Sequence, residues 1–153
     1  MRRTDKEITE REAIDAIIAR SLVCRLAMCD GGAPYLVPLC FGYDGTSLYF
    51  HGAGEGKKME ILRKNNAVCF EFDTDTEVVK GENPCSFSLR YRSVVGRGRA
   101  FFVEDVGGKL KALESIMRQY GDDDGVLEEK DAAHITVIRV DIEEMSGKKS
   151  KME

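Results

Sequence analysis

At 153 residues, with 42% hydrophobic and 33% charged side chains, the chain has the composition of one soluble globular domain, which excludes collagen-like and disordered classes. Its 23 basic and 27 acidic residues give a net charge of −4, so a chain-wide basic field for nucleic acid is absent and only a local basic pocket stays open. No apolar run approaches the roughly 20 residues that cross a bilayer, and the charged start from Met1 to Glu7 leads into no apolar stretch, so neither a membrane span nor a secretory signal is expected.

Residues 9–22 read as a helix, with Thr9 and Glu12 spaced as a capping box and Ile14, Ile17, Ile18 and Leu22 at helical spacing. The period then changes. Val23 to Cys29 is a strand, Asp30-Gly31-Gly32 a turn, and Tyr35 to Phe41 a second strand whose Pro38 marks an edge or a bulge. After a turn at Tyr43-Asp44-Gly45, Ser47 to His51 is a third strand. Connections this short predict an antiparallel meander. Residues 52–56 form a glycine-rich loop, Lys57 to Lys64 a short helix ended by Asn65-Asn66, and Ala67 to Phe72 a strand. Residues 73–83 are polar and read as a surface loop. Cys85 to Val103 is a long strand region, bent or broken near Gly96 and Gly98. Its first half alternates Cys85, Phe87, Leu89 and Tyr91 with Ser86, Ser88, Arg90 and Arg92, the pattern of a half-buried strand.

Val106 to Tyr120 is a second amphipathic helix, with Val106, Leu110, Leu113, Met117 and Tyr120 in one stripe and Gly121 as its stop. Residues 121–131 are acidic and loop-like, with at most one helical turn, and Ile135 to Ile142 is the last strand. Residues 1–8 and 148–153 are expected to fray as tails of a single domain spanning 1–153. About six strands without a repeated βαβ unit point to a mainly β fold, a small antiparallel barrel with peripheral helices. The five cysteines, at 24, 29, 40, 69 and 85, are odd in number and lack C-x-x-C spacing, so they are expected as buried free thiols of a reducing cytoplasm. With only two histidines and neither beside a cysteine pair, no zinc site is expected.

Four segments could carry chemistry. In Gly52-Ala53-Gly54-Glu55-Gly56-Lys57-Lys58, glycines admit a ligand close to the backbone and a helix start offers unpaired N–H groups. Two lysines at the positive end of a helix oppose its dipole, and a bound phosphate would explain them; a flexible turn with two solvated lysines is the other reading. Arg25, inside an otherwise apolar strand, faces a ligand or snorkels at a barrel rim. Arg90 and Arg92 share one strand face, as a basic strip or as a solvated surface. His51, between an aromatic strand and the glycine loop, is a hydrogen-bond donor or proton shuttle, or a satisfied edge histidine. His134 has no nearby partner and receives no role. Walker A, Rossmann, H-E-x-x-H and Ser-His-Asp patterns are all missing.

Taken in order, CRLAM, PYLVPLCFGYD, LYFHGAGEGKKMEIL, NNAVCFEFD, CSFSLRYRSVVGRGRA and VIRVDIEEMSGKKS resemble the pyridoxamine 5′-phosphate oxidase-like, FMN-binding split-barrel superfamily, nearest its nitroimidazole-resistance (nitroimidazole reductase) branch, over about Met1 to Ser150. The resemblance implies a six-stranded antiparallel split β-barrel and a homodimer with FMN at the subunit interface. By position it assigns Arg25, Leu26, Ala27 and Met28 to the flavin and its phosphate, and Phe50 and His51 to the ring and ribityl chain. It assigns Lys57 and Lys58 to the 5′-phosphate and Ser93 to the flavin across the dimer, with His51 as the catalytic candidate. The implied activity is transfer of reducing equivalents from a nicotinamide through FMN to a small oxidised acceptor, such as a nitroaromatic. A flavin- or haem-binding carrier or sensor is the alternative, and a deazaflavin is an alternative cofactor. The chain stops at DIEEMSGKKS without the aromatic and basic C-terminal segment that the oxidase proper uses for pyridoxal phosphate, which speaks against vitamin B6 oxidation.

Overall fold

Alternating apolar residues build the strands of this molecule into one antiparallel sheet. The computed structural model describes residues 3–121 and 124–151. Its strands are β1 Glu7–Ile8, β2 Cys24–Asp30, β3 Ala33–Leu39, β4 Gly42–Tyr43, β5 Ser47–Gly52, β6 Ala67–Val79, β7 Ser88–Val103 and β8 Thr136–Ser150. Its α-helices are α1 Arg11–Arg20, α2 Lys57–Lys64, α3 Val106–Gln119 and the single turn α4 Glu129–Ala132. The strand order is β3-β2-β6-β7-β8-β5-β4, with β1 on β8. Leu26 and Met28 of β2, Phe70 and Phe72 of β6, Val94 of β7, Val140 of β8 and Phe50 of β5 meet in one buried cluster. Strands from the whole path sharing one core means that the sheet curls round it, the predicted mainly β split barrel. The helices α1 and α2 add Ile14, Ile17, Ile18, Met59, Ile61 and Leu62 to that core.

Several expectations are corrected. Among the described residues the strands number eight in place of six, because β1 and β4 are two-residue pieces. The first three long strands are not a meander: β2 and β3 form a hairpin, but β5 pairs with β8. Between them Phe41 is fully buried, 4.7 Å from the Phe72 ring, and its N–H donates to the Tyr120 hydroxyl, so the chain crosses the barrel there. The edge position of Pro38 is as predicted, since β3 pairs with β2 alone.

Residues 73–79 continue β6 and are not a loop. Glu77 to Val79 pair with Arg90 to Ser88, and Arg90–Glu77 (2.7 Å) and Arg92–Asp75 (2.6 Å) ion pairs bridge the two strands. A two-stranded arm wet on both faces needs cross-strand pairs and no apolar alternation. The predicted strand from Cys85 to Val103 begins at Ser88, after a 3-10 turn at Pro84–Ser86, and its first part is not half-buried as expected, since Phe87 and Leu89 are exposed. The predicted bend near Gly98 is a register shift between Arg97 and Gly98 against β8.

The tails are ordered where described: Glu7 pairs with Lys148, Ile8 with Gly147 and Tyr91 with Ser150. Residues 1–2 and 152–153 of the expected tails lie outside the described residues. The first helix is shorter than predicted. Glu10 is its N-cap residue with no side-chain cap, so the Thr9–Glu12 box does not form, and Leu22 is exposed beyond its end. Pairing of Ile8 in β1 holds the preceding chain extended. The second helix spans the predicted residues. The third turns a different face inward, burying Ala112, Leu113, Ser115 and Ile116 and leaving Val106 and Tyr120 exposed. A Cβ on Gly42 would lie 2.7 Å from Ser115 and the Ile116 nitrogen, so the small-residue face is what lets α3 lie close on β4. Of the cysteines only Cys24 is buried; Cys29 is half-buried and Cys40, Cys69 and Cys85 are exposed, because the last four fall on outward positions or connections.

Candidate functional site

The N-terminus of α2 is the most distinctive polar arrangement. Gly56 has φ +112°, a left-handed conformation that favours glycine, and the helix starts immediately after it. Lys57 is exposed, its Nζ 5.1 Å from the Tyr35 ring centroid and 3.9 Å from Asp30 Oδ2. Lys58 is half-buried and, among the described residues, sits in no ion pair. Burial holds its ammonium below the ordinary lysine pKa. Its Nζ lies 3.6 Å from where a Cβ of Gly52 would be, so the glycine at the end of β5 makes room for it. A partly desolvated cation beside free helix N–H groups is suited to an anion.

His51 is exposed on β5, and no hydrogen bond holds its imidazole among the described residues. Strand alternation puts it on the face opposite Phe50. It pairs in register with Val137 of β8. Phe50 itself is fully buried, as are Leu26 and, nearly so, Met28. These three residues belong to the barrel core, so the side chain of Phe50 is turned inward, away from any ring bound at the surface.

Arg25 and Ala27 alternate to the outer face of β2. There Arg25 donates to Glu71 Oε2 (3.1 Å) and to Asp73 Oδ1. Burial and the neighbouring Asp73 push the Glu71 carboxyl up, against the opposing pull of Arg25. Ser93 is buried on β7, in register with Asp73 and with Lys148. The sheet therefore brings Arg25, Asp73 and Ser93 together. It does not bring Arg25 to Lys57: Asp30, which Lys57 approaches, is five residues along β2, about 17 Å at the usual strand rise. Within one chain the predicted residues stand apart: Lys57 and Lys58 at the α2 start, His51 on the β5 face opposite the one where Gly52 makes room for Lys58, and Arg25, Ala27 and Ser93 on the β2/β6/β7 outer face.

Glu71 and Asp73 as partners of Arg25, and Asp30 and Tyr35 as neighbours of Lys57, were not foreseen. Their identity depends on strand register, which no local spacing gives. Arg90 and Arg92 are engaged by Glu77 and Asp75, the solvated-surface reading of that strip. His134 is exposed before β8. Four open clefts of about 250 to 450 Å³ are lined by other residues, apart from one that Arg92 lines together with Asp75 and Arg20. Among the described residues no group of His, Cys, Asp and Glu could hold a metal, and no helix is long and apolar enough to cross a membrane.

Comparison with known proteins places the chain. It is 36% identical to the "putative 5-nitroimidazole antibiotic resistance protein" of Bacteroides thetaiotaomicron, with a TM-score of 0.82 over 93% of this chain and 85% of that one. It is 27% identical to a FAD-binding protein of Mesorhizobium loti, with a TM-score of 0.69 over 95% of this chain and 98% of that one. A FAD- and haem-binding protein of Mycobacterium smegmatis shares the fold at 20% identity, with a TM-score of 0.81 over 96% of this chain and 74% of that one. Among curated proteins an uncharacterised one of Rhizobium meliloti (strain 1021) is 30% identical over 64 residues, and the match spans only 42% of each chain. A sequence profile described as pyridoxamine 5′-phosphate oxidase matches residues 10–149, nearly the full length. On that match, and on a barrel whose wall and helix start are laid out as described, the chain belongs to the pyridoxamine 5′-phosphate oxidase-like family.

Proposed function

We propose that this protein binds FMN and passes reducing equivalents from a reduced nicotinamide to a small oxidised acceptor, with nitroaromatics as the acceptor class. The observation that carries the reading is Lys58, a half-buried ammonium without a carboxylate partner among the described residues, at a helix start entered through glycine. That arrangement fits a dianionic phosphate, which would supply the missing counter-charge. Membership of the family and the flavin-binding relatives favour a flavin phosphate, and the 36% identical resistance protein favours the acceptor class.

When bound, the flavin supplies hydride acceptance and donation at its ring. Lys57 and Lys58 bind the phosphate end. Arg25, Ala27 and Ser93 orient the ring end along the outer sheet face. His51, free to hydrogen-bond, holds or moves a proton at its imidazole. Because these groups lie apart in one chain, the reading includes a homodimer in which Ser93 of one protomer completes the other's site. Leu36 (58% exposed) and Val95 (46%) flank Arg25 and Ala27 on that face and supply apolar contact area. The reading also places the protein in the cytoplasm, where its free thiols would stay reduced.

An absorbance spectrum of the purified protein is the first test, followed by anaerobic mixing with NADH or NADPH. A flavin band that bleaches with either donor supports the oxidoreductase. Protein that binds no added flavin sinks the whole reading. A flavin that neither donor reduces leaves a carrier or sensor. A Soret band would instead favour haem on His51, a second reading that rests on the unbonded, exposed imidazole.

A further inference from the structure

The loop between β5 and α2 has almost nothing to hold its shape. Residues 53–55 are exposed, and among the described residues they share a single hydrogen bond: the Arg63 guanidinium donates to the Gly54 carbonyl at 2.9 Å. Arg63 stands in the last turn of α2, nine positions after Gly54, so its side chain reaches back along the helix to a residue before the helix start. A cation that merely complemented the helix dipole would have no reason to make that reach. Most described arginines lie within ion-pair distance of a carboxylate, whereas Arg63 has none there among the described residues. Its guanidinium lies 5.3 Å from the centroid of the Phe102 ring. Phe102 belongs to β7, in register with Ile138 of β8, and packs against the core, so Arg63 rests on the barrel wall. On another side of the loop, a Cβ on Gly54 would lie 3.1 Å from Oγ1 of Thr136, at the start of β8. Gly54 is thus held between Thr136 and Arg63.

We infer that Arg63 is a positioning residue of the anion site at the α2 start, an inference that rests on reading that site as the seat of a flavin phosphate. A trans peptide unit points its C=O and its N–H in opposite directions. Drawing the Gly54 carbonyl toward Arg63 therefore turns the Glu55 N–H away from it. At about 100° per residue, Arg63 stands about 120° round the helix from Lys57 and about 140° from Lys58. The Glu55 N–H is therefore turned to the lysine side of the loop, next to Gly56, the N-cap residue of α2. There it joins the unpaired N–H groups of the first helical turn and the Lys58 ammonium as donors to one anion. Glycine-rich backbone left free would have to be ordered by the ligand itself; the bond from Arg63 sets that order beforehand. Arg63 does not touch the ligand. Its effect falls on the phosphate end, and a flavin without a phosphate gains nothing from it.

For the test, protein loaded with FMN or with riboflavin is diluted, and the released flavin is read by its fluorescence. Arg63→Ala is expected to weaken FMN about tenfold or more, the worth of one hydrogen bond to a charged group, while riboflavin affinity stays unchanged. Arg63→Lys, which keeps a donor and a cation over Phe102, should recover most of the loss. Lys64→Ala removes one exposed charge from the same turn and leaves the Gly54 bond in place, so FMN should stay within about twofold of wild type. Should Arg63→Ala fold poorly, Phe102→Leu keeps the guanidinium but takes away the ring beneath it, and a smaller loss confined to FMN carries the same test. Equal weakening of FMN and riboflavin would make Arg63 a merely structural residue and overturns the proposal. So does unchanged FMN affinity in Arg63→Ala, or an equal loss in Lys64→Ala, which would reduce Arg63 to diffuse charge. If the wild type takes up neither flavin, the flavin reading fails on its own, and inorganic phosphate titrated into the protein as purified decides for Arg63. Weaker phosphate binding in Arg63→Ala then sustains the positioning role, and equal or absent binding overturns it.

Discussion

Ser115 Oγ is buried with no hydrogen-bond partner among the described residues, pressed against Gly42 where α3 meets β4. An orphaned buried hydroxyl costs on the order of 1–3 kcal/mol, so Ser115→Ala should raise stability by about 1 kcal/mol, read as a higher denaturation midpoint with unchanged flavin content. Lys57 and Lys58 give the opposite test. Replacing both with Ala should weaken FMN binding by roughly 2–5 kcal/mol while the fold survives; a double variant that purifies fully loaded would refute the phosphate assignment. The pH dependence follows from burial. Lys58 titrates below the ordinary lysine range in the free protein, and a phosphate would favour its charged form. Affinity is therefore intact below that lowered value and declines as pH rises through it. Flavin release should begin at a lower pH than an exposed lysine would give, and Lys58→Arg should move its onset upward. His51→Ala separates two half-reactions. Acceptor reduction that needs a proton should slow by about 10²–10⁴-fold and lose its pH dependence, while flavin reduction by the nicotinamide changes less. Equal loss in both, or in neither, would identify a merely structural histidine.

Elements show which local signals were strong. The boundaries of α2 were legible because Met59, Ile61 and Leu62 recur between a glycine entry and Asn65. A sharper start signal stands at α3, where the Asp105 side chain accepts the Gly108 N–H at 2.7 Å. Asp105→Ala should cost about 1 kcal/mol, measured by urea denaturation, because two glycines in the first turn leave that helix dependent on its cap. The β6–β7 arm was invisible for the converse reason. Its β6 half, residues 73–79, carries no apolar period and was read as a loop, and the ion pairs that join it to β7 span 13 and 17 positions in sequence. The β8 extension to Ser150 was hidden too: a lysine-rich end reads as solvated until its partner strand, β7, is known.

At the scale of the molecule, the face carrying Arg25, Ala27, Leu36 and Val95 is where function and assembly would coincide. Leu36→Glu with Val95→Glu should shift the protein toward monomer in sedimentation and lower its flavin occupancy together. Occupancy that stays full in the monomer would show a site complete within one chain. The sequence by itself determined the mainly β class, the glycine loop and the lysines at the start of α2. These rest on turn residues, side-chain periodicity and helix-end electrostatics, all of which act over a few neighbouring positions. Only the tertiary structure decided that Phe50, Leu26 and Met28 are core, that Arg25 is held by Glu71 and Asp73, and that Arg25 and Lys57 stand apart. The physical reason is register. Which residues face one another across a sheet is set by long-range pairing and by curling of the strands round a shared core, and a one-residue slip would reverse every such assignment.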